Sequence, residues 1–496
     1  MNLIHNFPFF SIILAMACGI VSSILSGKNA KRLTLVMLTA VAVMSAFLLG
    51  DLLKNGESYT FMMGHYPAPW GNEIRAGVLE ALMALCFSVV MIFSLLGGMK
   101  HIFHDVEEAK LNLYFIMMDL LMSSLLALIY TNDLFTAYVF IEINTISACA
   151  IVMIKNTGRT IVAATRYLIM SLLGSGLFLI GITLIYDLTG HLLMSNIKES
   201  MAALHASGAY ILPITVTIGL ISTGMAIKSA LFPFHSWLPD AHGSAVTSSS
   251  AILSGLVLKG YIILLIKIFY RVFGLDVILS DKVPNVLFVF GIAGIIFGSL
   301  NALKERDIKR MLAYSSVAQI GYIYMGIGYG NNEGMIAACI HILVHAVTKS
   351  MLFCAAGGLM EVSENSRDFS KLKGAGYRNK LAGAAFVVGA LSMIGIPFFA
   401  GFISKLYFAT GAFSRPHKMW FVLFALAVST VLNALYYVPV IINLYTKNDE
   451  VSAEKNWKPN LSFVVAMVVF IALNFVIGLG SSSLVEAIRT GMNTFG

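Results

Sequence analysis

The chain has 496 residues, 58% of them apolar and only 12% charged, with a mean hydropathy of +0.84 and a formal charge of +8. A soluble chain carries charge on about a quarter of its residues, so this composition excludes a soluble globule and predicts an all-α polytopic membrane protein. The basic excess does not mark a nucleic-acid binder, because Lys and Arg fall between apolar runs with no patch of interleaved aromatics.

Taken in chain order, the apolar runs predict about 14 membrane-spanning helices: residues 7–25, 33–53, 77–97, 111–130, 132–154, 161–188, 211–234, 244–272, 284–303, 312–328, 333–360, 382–412, 420–446 and 461–484. No basic segment precedes the first run and no small-residue cleavage pattern follows it, so it reads as a retained helix rather than a signal peptide. Cys18, Cys86, Cys149, Cys339 and Cys354 lie singly in apolar stretches without a CxxC pair. They read as small hydrophobes, and no cofactor or metal site is expected. Alternate loops collect Lys28, Lys31 and Arg32, then Lys100 and Lys110, Lys155 and Arg159, then Lys304, Arg306, Lys309 and Arg310. The same side continues with Arg367, Lys371, Lys373, Arg378 and Lys380, then Lys447, Lys455 and Lys458. The positive-inside rule places these loops in the cytoplasm, which predicts a multi-pass protein of the inner (plasma) membrane with both termini on the extracytoplasmic side.

Charges inside the apolar runs carry the functional reading. A charged side chain at mid-bilayer costs about 2.5 to 3.5 kcal/mol on insertion scales, so such residues turn toward protein or a wet path. Glu142, Lys228, Lys259 and Lys405 are in this position. His341, His345 and Lys349 recur every fourth residue, which stacks them on one helix face as a hydrogen-bonded ladder. Asp133 opens the Glu142 helix as an acidic N-cap. Glu80, Asp119, Arg166 and Asp187 also lie in or near spans, where each fits an inlet or a contact with a neighbouring subunit equally well.

Two spans are interrupted. Lys228 to Pro239 (KSALFPFHSWLP) breaks the seventh and Gly395 to Lys405 (GIPFFAGFISK) the twelfth, each joining proline to an intramembrane lysine. Proline removes a backbone donor, and such gaps survive at membrane depth only where buried in protein or lining a cavity. Breaks five helices apart point to an inverted-repeat transporter. The expected division is residues 1–110 (helices 1–3), 111–272 (helices 4–8, the first repeat), 284–446 (helices 9–13, the second repeat) and 447–496 (helix 14).

The stretch Gly224 to His242 (GMAIKSALFPFHSWLPDAH) resembles the signature of the antiporter-like membrane subunits shared by respiratory complex I, Mrp-type Na⁺/H⁺ antiporters and membrane-bound hydrogenases. The resemblance continues through Asp307 to Gln319, His341 to Gly357 and the segment ending at Lys405, and covers most of residues 111–446. It implies 14 helices, two inverted five-helix repeats and a midplane row of buried charged residues that relays protons. By position, Glu142 matches the family's fifth-helix glutamate, paired with the lysine of the seventh helix, here Lys228. Lys259 matches the bridging lysine of the eighth helix and Lys405 the lysine of the second broken helix. His235, Asp240 and His242 follow the first break, where the family shapes a cytoplasmic inlet. Asn144 and Thr145, beside Glu142, replace a leucine-rich run and make the site more polar. With no long amphipathic extension after the last span, the chain is similar to the compact, D-type member of Mrp systems.

The expected function is therefore proton and cation translocation within a multisubunit membrane complex, of the Mrp antiport type. The alternative is the same ion-pumping module in a redox-driven complex, a membrane-bound hydrogenase or a complex I relative. Expected partners are other membrane subunits, H⁺ and lipid, with Na⁺ left open. The plainer readings are a structural ion pair for Lys228 and Glu142, an HxxxH metal site, core histidines, and a passive scaffold.

Overall fold

The computed structural model of the chain describes residues 3–63, 66, 71–447 and 460–496. Lys455 and Lys458, two of the loop cations, lie outside the described residues. Helices form where the apolar runs were expected: α1 (Phe7–Ser22), α2 (Gly27–Asn55), α3 (Val78–Asp105), α4 (Leu111–Tyr130), α5 (Leu134–Met153) and α6 (Gly158–Thr189). A short two-stranded hairpin, β1 (Tyr59–Met62) with β2 (Glu73–Ala76), interrupts this all-α series between α2 and α3. Its antiparallel register pairs Tyr59 with Ala76. The segment after α6, expected as a loop, instead carries helix α7 (Met194–Ser207).

The seventh span is shorter than expected. Helix α8 (Ile211–Lys228) stops at its lysine, and the chain resumes as α9 (Leu238–Ser244). The eighth span is assembled from α10 (Thr247–Ile252), a π-helical turn at Leu253–Val257, α11 (Leu258–Ile268) and a second π turn at Phe269–Phe273. After α12 (Leu275–Ser280) come α13 (Val283–Lys304), α14 (Ile308–Ile327), α15 (Asn332–Glu361) and the short α16 (Ala375–Arg378). The twelfth span is split into α17 (Lys380–Ile394) and α18 (Ala400–Ala412), and α19 (Pro416–Leu444) follows. The last expected span ends five residues early: α20 (Leu461–Leu479) gives way at Gly480 to a separate helix, α21 (Ser481–Asn493).

Among the described residues, twelve helices are long and apolar enough to cross a membrane. The other two expected spans are the Lys- and Arg-bearing α14 and the split α17–α18. Local signals set the ends. Asp133 Oδ1 accepts from the Thr136 amide at 2.7 Å, as an acidic N-cap should. Thr157 and Thr160 form a reciprocal capping box on α6. Gly395, with φ of 92°, turns the chain out of α17 in a conformation that a side chain would strain. Close helix approach is secured by glycine on α13, where a Cβ at Gly291 would lie 2.5 Å from the Met325 nitrogen.

Two segments form the axis of the bundle. Every residue of Thr247–Phe273 is buried, and so is every residue of α15 from Gly334 to Met360. The remaining long helices surround them and put apolar side chains such as Phe47, Leu173, Val289 and Phe424 outward, as a bilayer-facing surface requires. The loops sort to two ends. Asp105 pairs with Lys155 at 2.7 Å, and Asp240 with Arg166 and Arg310 at 2.5 and 2.6 Å, at the end that holds the Lys- and Arg-rich loops. Glu73–Asn132, Glu80–Arg271 and Glu333–Arg489 contacts gather at the other.

Candidate functional site

The first half-site forms where α8 stops. Lys228 is its last residue, and with the helix broken there the long side chain crosses to α5 and α6 rather than following a helical face. Its Nζ donates to Thr145 Oγ1 at 2.8 Å and to Ser171 Oγ at 3.3 Å, and it lies 5.2 Å from the centre of the Tyr261 ring. The expected Lys228–Glu142 ion pair does not form among the described residues. Glu142 stands one turn before Thr145, half-buried, with its buried Oε1 lacking any hydrogen-bond partner. Thr145 takes its place because a hydroxyl on the adjacent turn reaches Nζ directly. Asn144 binds the packing on either side, donating to Ser124 Oγ at 2.8 Å and accepting from Tyr261 OH at 2.9 Å.

The middle of the row is carried by the axis. The π turn at Leu253–Val257 widens the helix just before Lys259, and Lys259 Nζ donates back to the Ser254 carbonyl. Such turns recur at functional sites because they free backbone groups inside an otherwise closed helix. No hydrogen bond joins Lys228 to Lys259 among the described residues; the Tyr261 side chain stands beside the first of them. From Ser254 onward the contacts are continuous. Ser254 Oγ meets Ser316 Oγ at 2.8 Å, and Ser316 Oγ donates to the Leu312 carbonyl at 3.0 Å, which also accepts from Lys349 Nζ at 3.0 Å. Lys349 donates as well to Ser315 Oγ at 2.8 Å and to Tyr437 OH at 3.2 Å. Tyr436 OH donates to Asn433 Oδ1 at 2.6 Å and lies 2.9 Å from Ser315 Oγ, which can donate to it, and Asn433 Nδ2 reaches the Met393 carbonyl at 2.8 Å.

That last carbonyl belongs to the end of α17, where the second lysine waits. Lys405 Nζ donates to the neighbouring Ile394 carbonyl at 2.7 Å and to Thr430 Oγ1 at 3.1 Å. It thereby satisfies a carbonyl that the helix break leaves open. Lys405 is half-buried, whereas Lys228, Lys259 and Lys349 are fully buried. The two breaks also differ in arrangement. Lys228 precedes Pro233 on α8, while Lys405 follows Pro397 on α18.

The two histidines share a helix face, but the expected hydrogen-bonded ladder with Lys349 does not form among the described residues. The rings of His341 and His345 stack at 5.9 Å, and His341 Nδ1 lies 2.9 Å from Ser404 Oγ, next to Lys405. Lys349, one turn further, turns away to α14 and α19 instead of extending the ladder. Both ring nitrogens of His345 and the Nε2 of His341 are buried without a protein partner, as are both ring nitrogens of His242 and the Tyr322 hydroxyl. Buried polar atoms in folded proteins are almost always hydrogen-bonded to protein or to ordered water.

The remaining candidates separate. His242 is buried against Phe353, and His235 stacks on Phe232, while Asp240 is held by Arg166 and Arg310 at the Lys- and Arg-rich end. Glu80 forms a buried ion pair with Arg271, and Asp119 accepts from Ser22 Oγ at 3.0 Å on the α1 side. Asp187 is exposed and joins none of these groups. Sequence reasoning passed over Lys267, buried and donating to the carbonyls of Leu128, Ile129 and Thr131, and counted Lys309 among the loop cations, whereas it is buried in the first turn of α14 with its Nζ donating to the Ala245 carbonyl at 2.5 Å. It also passed over Ser171, Ser315, Thr430, Asn433 and Tyr436, since single hydroxyl and amide residues in an apolar run give no pattern.

A family profile described as "NADH:quinone oxidoreductase/Mrp antiporter, TM" matches residues 131–433. The N subunit of NADH-quinone oxidoreductase from Desulforudis audaxviator is 35% identical over 418 residues, covering 83% of this chain and 81% of that protein. The D subunit of the Na⁺/H⁺ antiporter from Alkalihalophilus pseudofirmus is 24% identical over 446 residues, covering 90% and 87%. In fold, the chain superposes on a chain of the Mrp complex from Dietzia sp. with a TM-score of 0.88 at 21% identity, covering 100% of this chain and 98% of that one.

Proposed function

The chain belongs to the NADH:quinone oxidoreductase/Mrp antiporter transmembrane family, and from that premise we propose that it is the proton- and cation-translocating subunit of a multisubunit membrane complex. The carrying observation is the row of buried polar contacts that runs from Lys259 past Lys349, Tyr436 and Asn433 to the adjacent Met393 and Ile394 carbonyls beside Lys405, deep in a bundle with an apolar outer surface.

In this reading Lys228 is the first proton-holding group, set against Glu142 by the hydroxyl of Thr145. A hydroxyl both donates and accepts, so Thr145 keeps the ammonium satisfied without fixing its charge as a carboxylate at contact would. Movement of Glu142 toward Nζ favours the charged lysine, and movement away favours proton release. Tyr261 stands between Lys228 and Lys259 as the element whose motion opens the first step. Lys259 and Lys349 then exchange protons through water beside the serine row, because the Ser254 and Leu312 carbonyls that join it to the two lysines only accept. His341 and His345, with free ring nitrogens, supply a parallel branch to Ser404 and Lys405 once water reaches them. The two inverted repeats, residues 111–272 and 284–446, are the framework we assign to the two half-sites, between residues 1–110 and 447–496. The Lys- and Arg-rich end faces the cytoplasm of a plasma-membrane protein, and both termini lie outside.

Sequence similarity to the D subunit of an Na⁺/H⁺ antiporter across 90% of the chain supports antiport of the Mrp type. The 35% identity to an N subunit of NADH-quinone oxidoreductase favours a second reading, the same module driven by a redox arm. Purifying the parent complex through a tag on this chain and measuring its iron–sulfur and nickel content separates them. The translocation reading itself is tested in vesicles containing that complex: Lys228→Ala and Lys349→Ala are expected to lose cation-dependent proton movement, and wild-type rates in both would end it.

A further inference from the structure

One cleft reaches the row from the side, at Tyr436. It lies between the ends of α13, α14 and α19, has a volume of about 270 Å³, and is lined by Ala302, Glu305, Met311, Tyr436, Val440 and Asn443 among others. A single water needs about 10–15 Å³ of such space, so several fit. The lining changes character with depth. Glu305 marks the mouth, tied through Arg310 (3.0 Å) to Asp240 and so to the Lys- and Arg-rich end of the bundle. Tyr436 is buried in the cleft wall, only 3% exposed, with its hydroxyl 2.9 Å from Ser315 Oγ, which holds Lys349 at 2.8 Å. Pro439, near the C-terminal end of α19, also lines the cleft and cannot donate back to the turn before it.

We infer that this cleft is a second proton inlet, feeding the relay at Lys349 from the Lys- and Arg-rich end, with the Tyr436 hydroxyl as the group that passes protons between cleft water and Ser315. The inference rests on the translocation reading above and adds a route that bypasses Lys228. It follows from the distances: Lys349 lies two hydrogen bonds from the cleft wall, whereas Lys228 is linked to Lys259 by none. A phenolic hydroxyl can take a proton on one side as it gives one on the other, so no net charge is placed on Tyr436.

The test uses Ala302→Cys in the intact complex. Ala302 lines the cleft and is not one of the relay residues, and cysteine enlarges it little. Vesicles are treated with a membrane-impermeant cationic methanethiosulfonate from the Lys304 side or from the opposite side, and the wild-type chain is treated alike to control for its five native cysteines. Modification from the Lys304 side is expected to slow transport about ten-fold, a barrier rise of about 1.4 kcal/mol, with no effect from the other side. Because one folded sample is compared before and after treatment, misfolding cannot imitate this result. Failure to modify the cysteine, or full transport after modification verified by mass, overturns the inlet. Lys349→Ala separates the two levels: if it abolishes transport while the modified cysteine chain runs at full rate, only the inlet is refuted. If Lys349→Ala transports normally, the relay and the inlet that feeds it both fall.

Discussion

One buried segment, Thr247–Phe273, holds its cations differently at its last turn and near its middle. At its last turn Lys267 is surrounded by three backbone carbonyls at the end of α4, and Arg271 is pinned by the Glu80 carboxylate and the Phe495 carbonyl at 2.6 Å. Carbonyls and a contacting carboxylate only accept, so these charges are fixed and serve to tie α11 to its neighbours. Near its middle, Lys259 meets a single carbonyl, that of Ser254, beside histidine nitrogens without a hydrogen-bond partner among the described residues, and the row's lysines on neighbouring helices, Lys228 and Lys349, reach hydroxyls that accept and donate. Depth in the membrane does not by itself distinguish a structural charge from a working one; the chemistry of the partner does.

The sharpest way to break that contrast is at the fixed end. Glu80→Ala strands a buried guanidinium and is expected to destabilise the protein by about 3–5 kcal/mol, seen as a large drop in unfolding temperature in detergent, while the protein that remains folded transports at the wild-type rate. In the row the outcome reverses. Lys349→Ala is expected to slow proton movement about 100-fold, the scale of losing a positioned proton-transfer group, with a far smaller change in unfolding temperature. A smaller effect belongs to Thr145→Val, which removes the hydroxyl under Lys228 but keeps the shape. About a ten-fold loss is expected there, from a hydrogen bond to a charged group worth about 1.5–3 kcal/mol, with Thr145→Ser close to wild type. Should Thr145→Val transport normally while Glu142→Gln does not, the carboxylate and not the hydroxyl governs Lys228. The mildest change is Ser404→Ala, which frees His341 Nδ1 and should cost a few-fold at most, about 1 kcal/mol.

Much of the architecture was legible because lipid leaves a long, strong signature. Runs of twenty apolar residues place helices, and proline beside an intramembrane lysine places both interruptions, at Lys228 and at Gly395–Phe399. The lysines and histidines of the site were legible for the same reason, since a charge in an apolar run stands out. Their partners were not. Thr145 and Asn144 drew notice only as departures from a family pattern, and Ser171, Ser315 and Tyr436 look like ordinary residues of a membrane helix until three helices converge on them. Lys267 and Arg271 escaped because a cation near the end of a span reads as one that snorkels to the interface, whereas here the chain folds β2 and the residues around Phe495 over it. The π turn before Lys259 leaves no mark either, because it depends on packing rather than on composition.

A consequence follows from the two axial segments that meet no lipid anywhere along their length. The outer helices act toward them as the jacket of an insulated cable, setting the medium around the proposed relay groups from protein atoms alone. Changing the acyl-chain length or headgroup of the host bilayer therefore presses on the jacket, on α2, α6, α13 and α19, and reaches the conductor only as far as those helices yield.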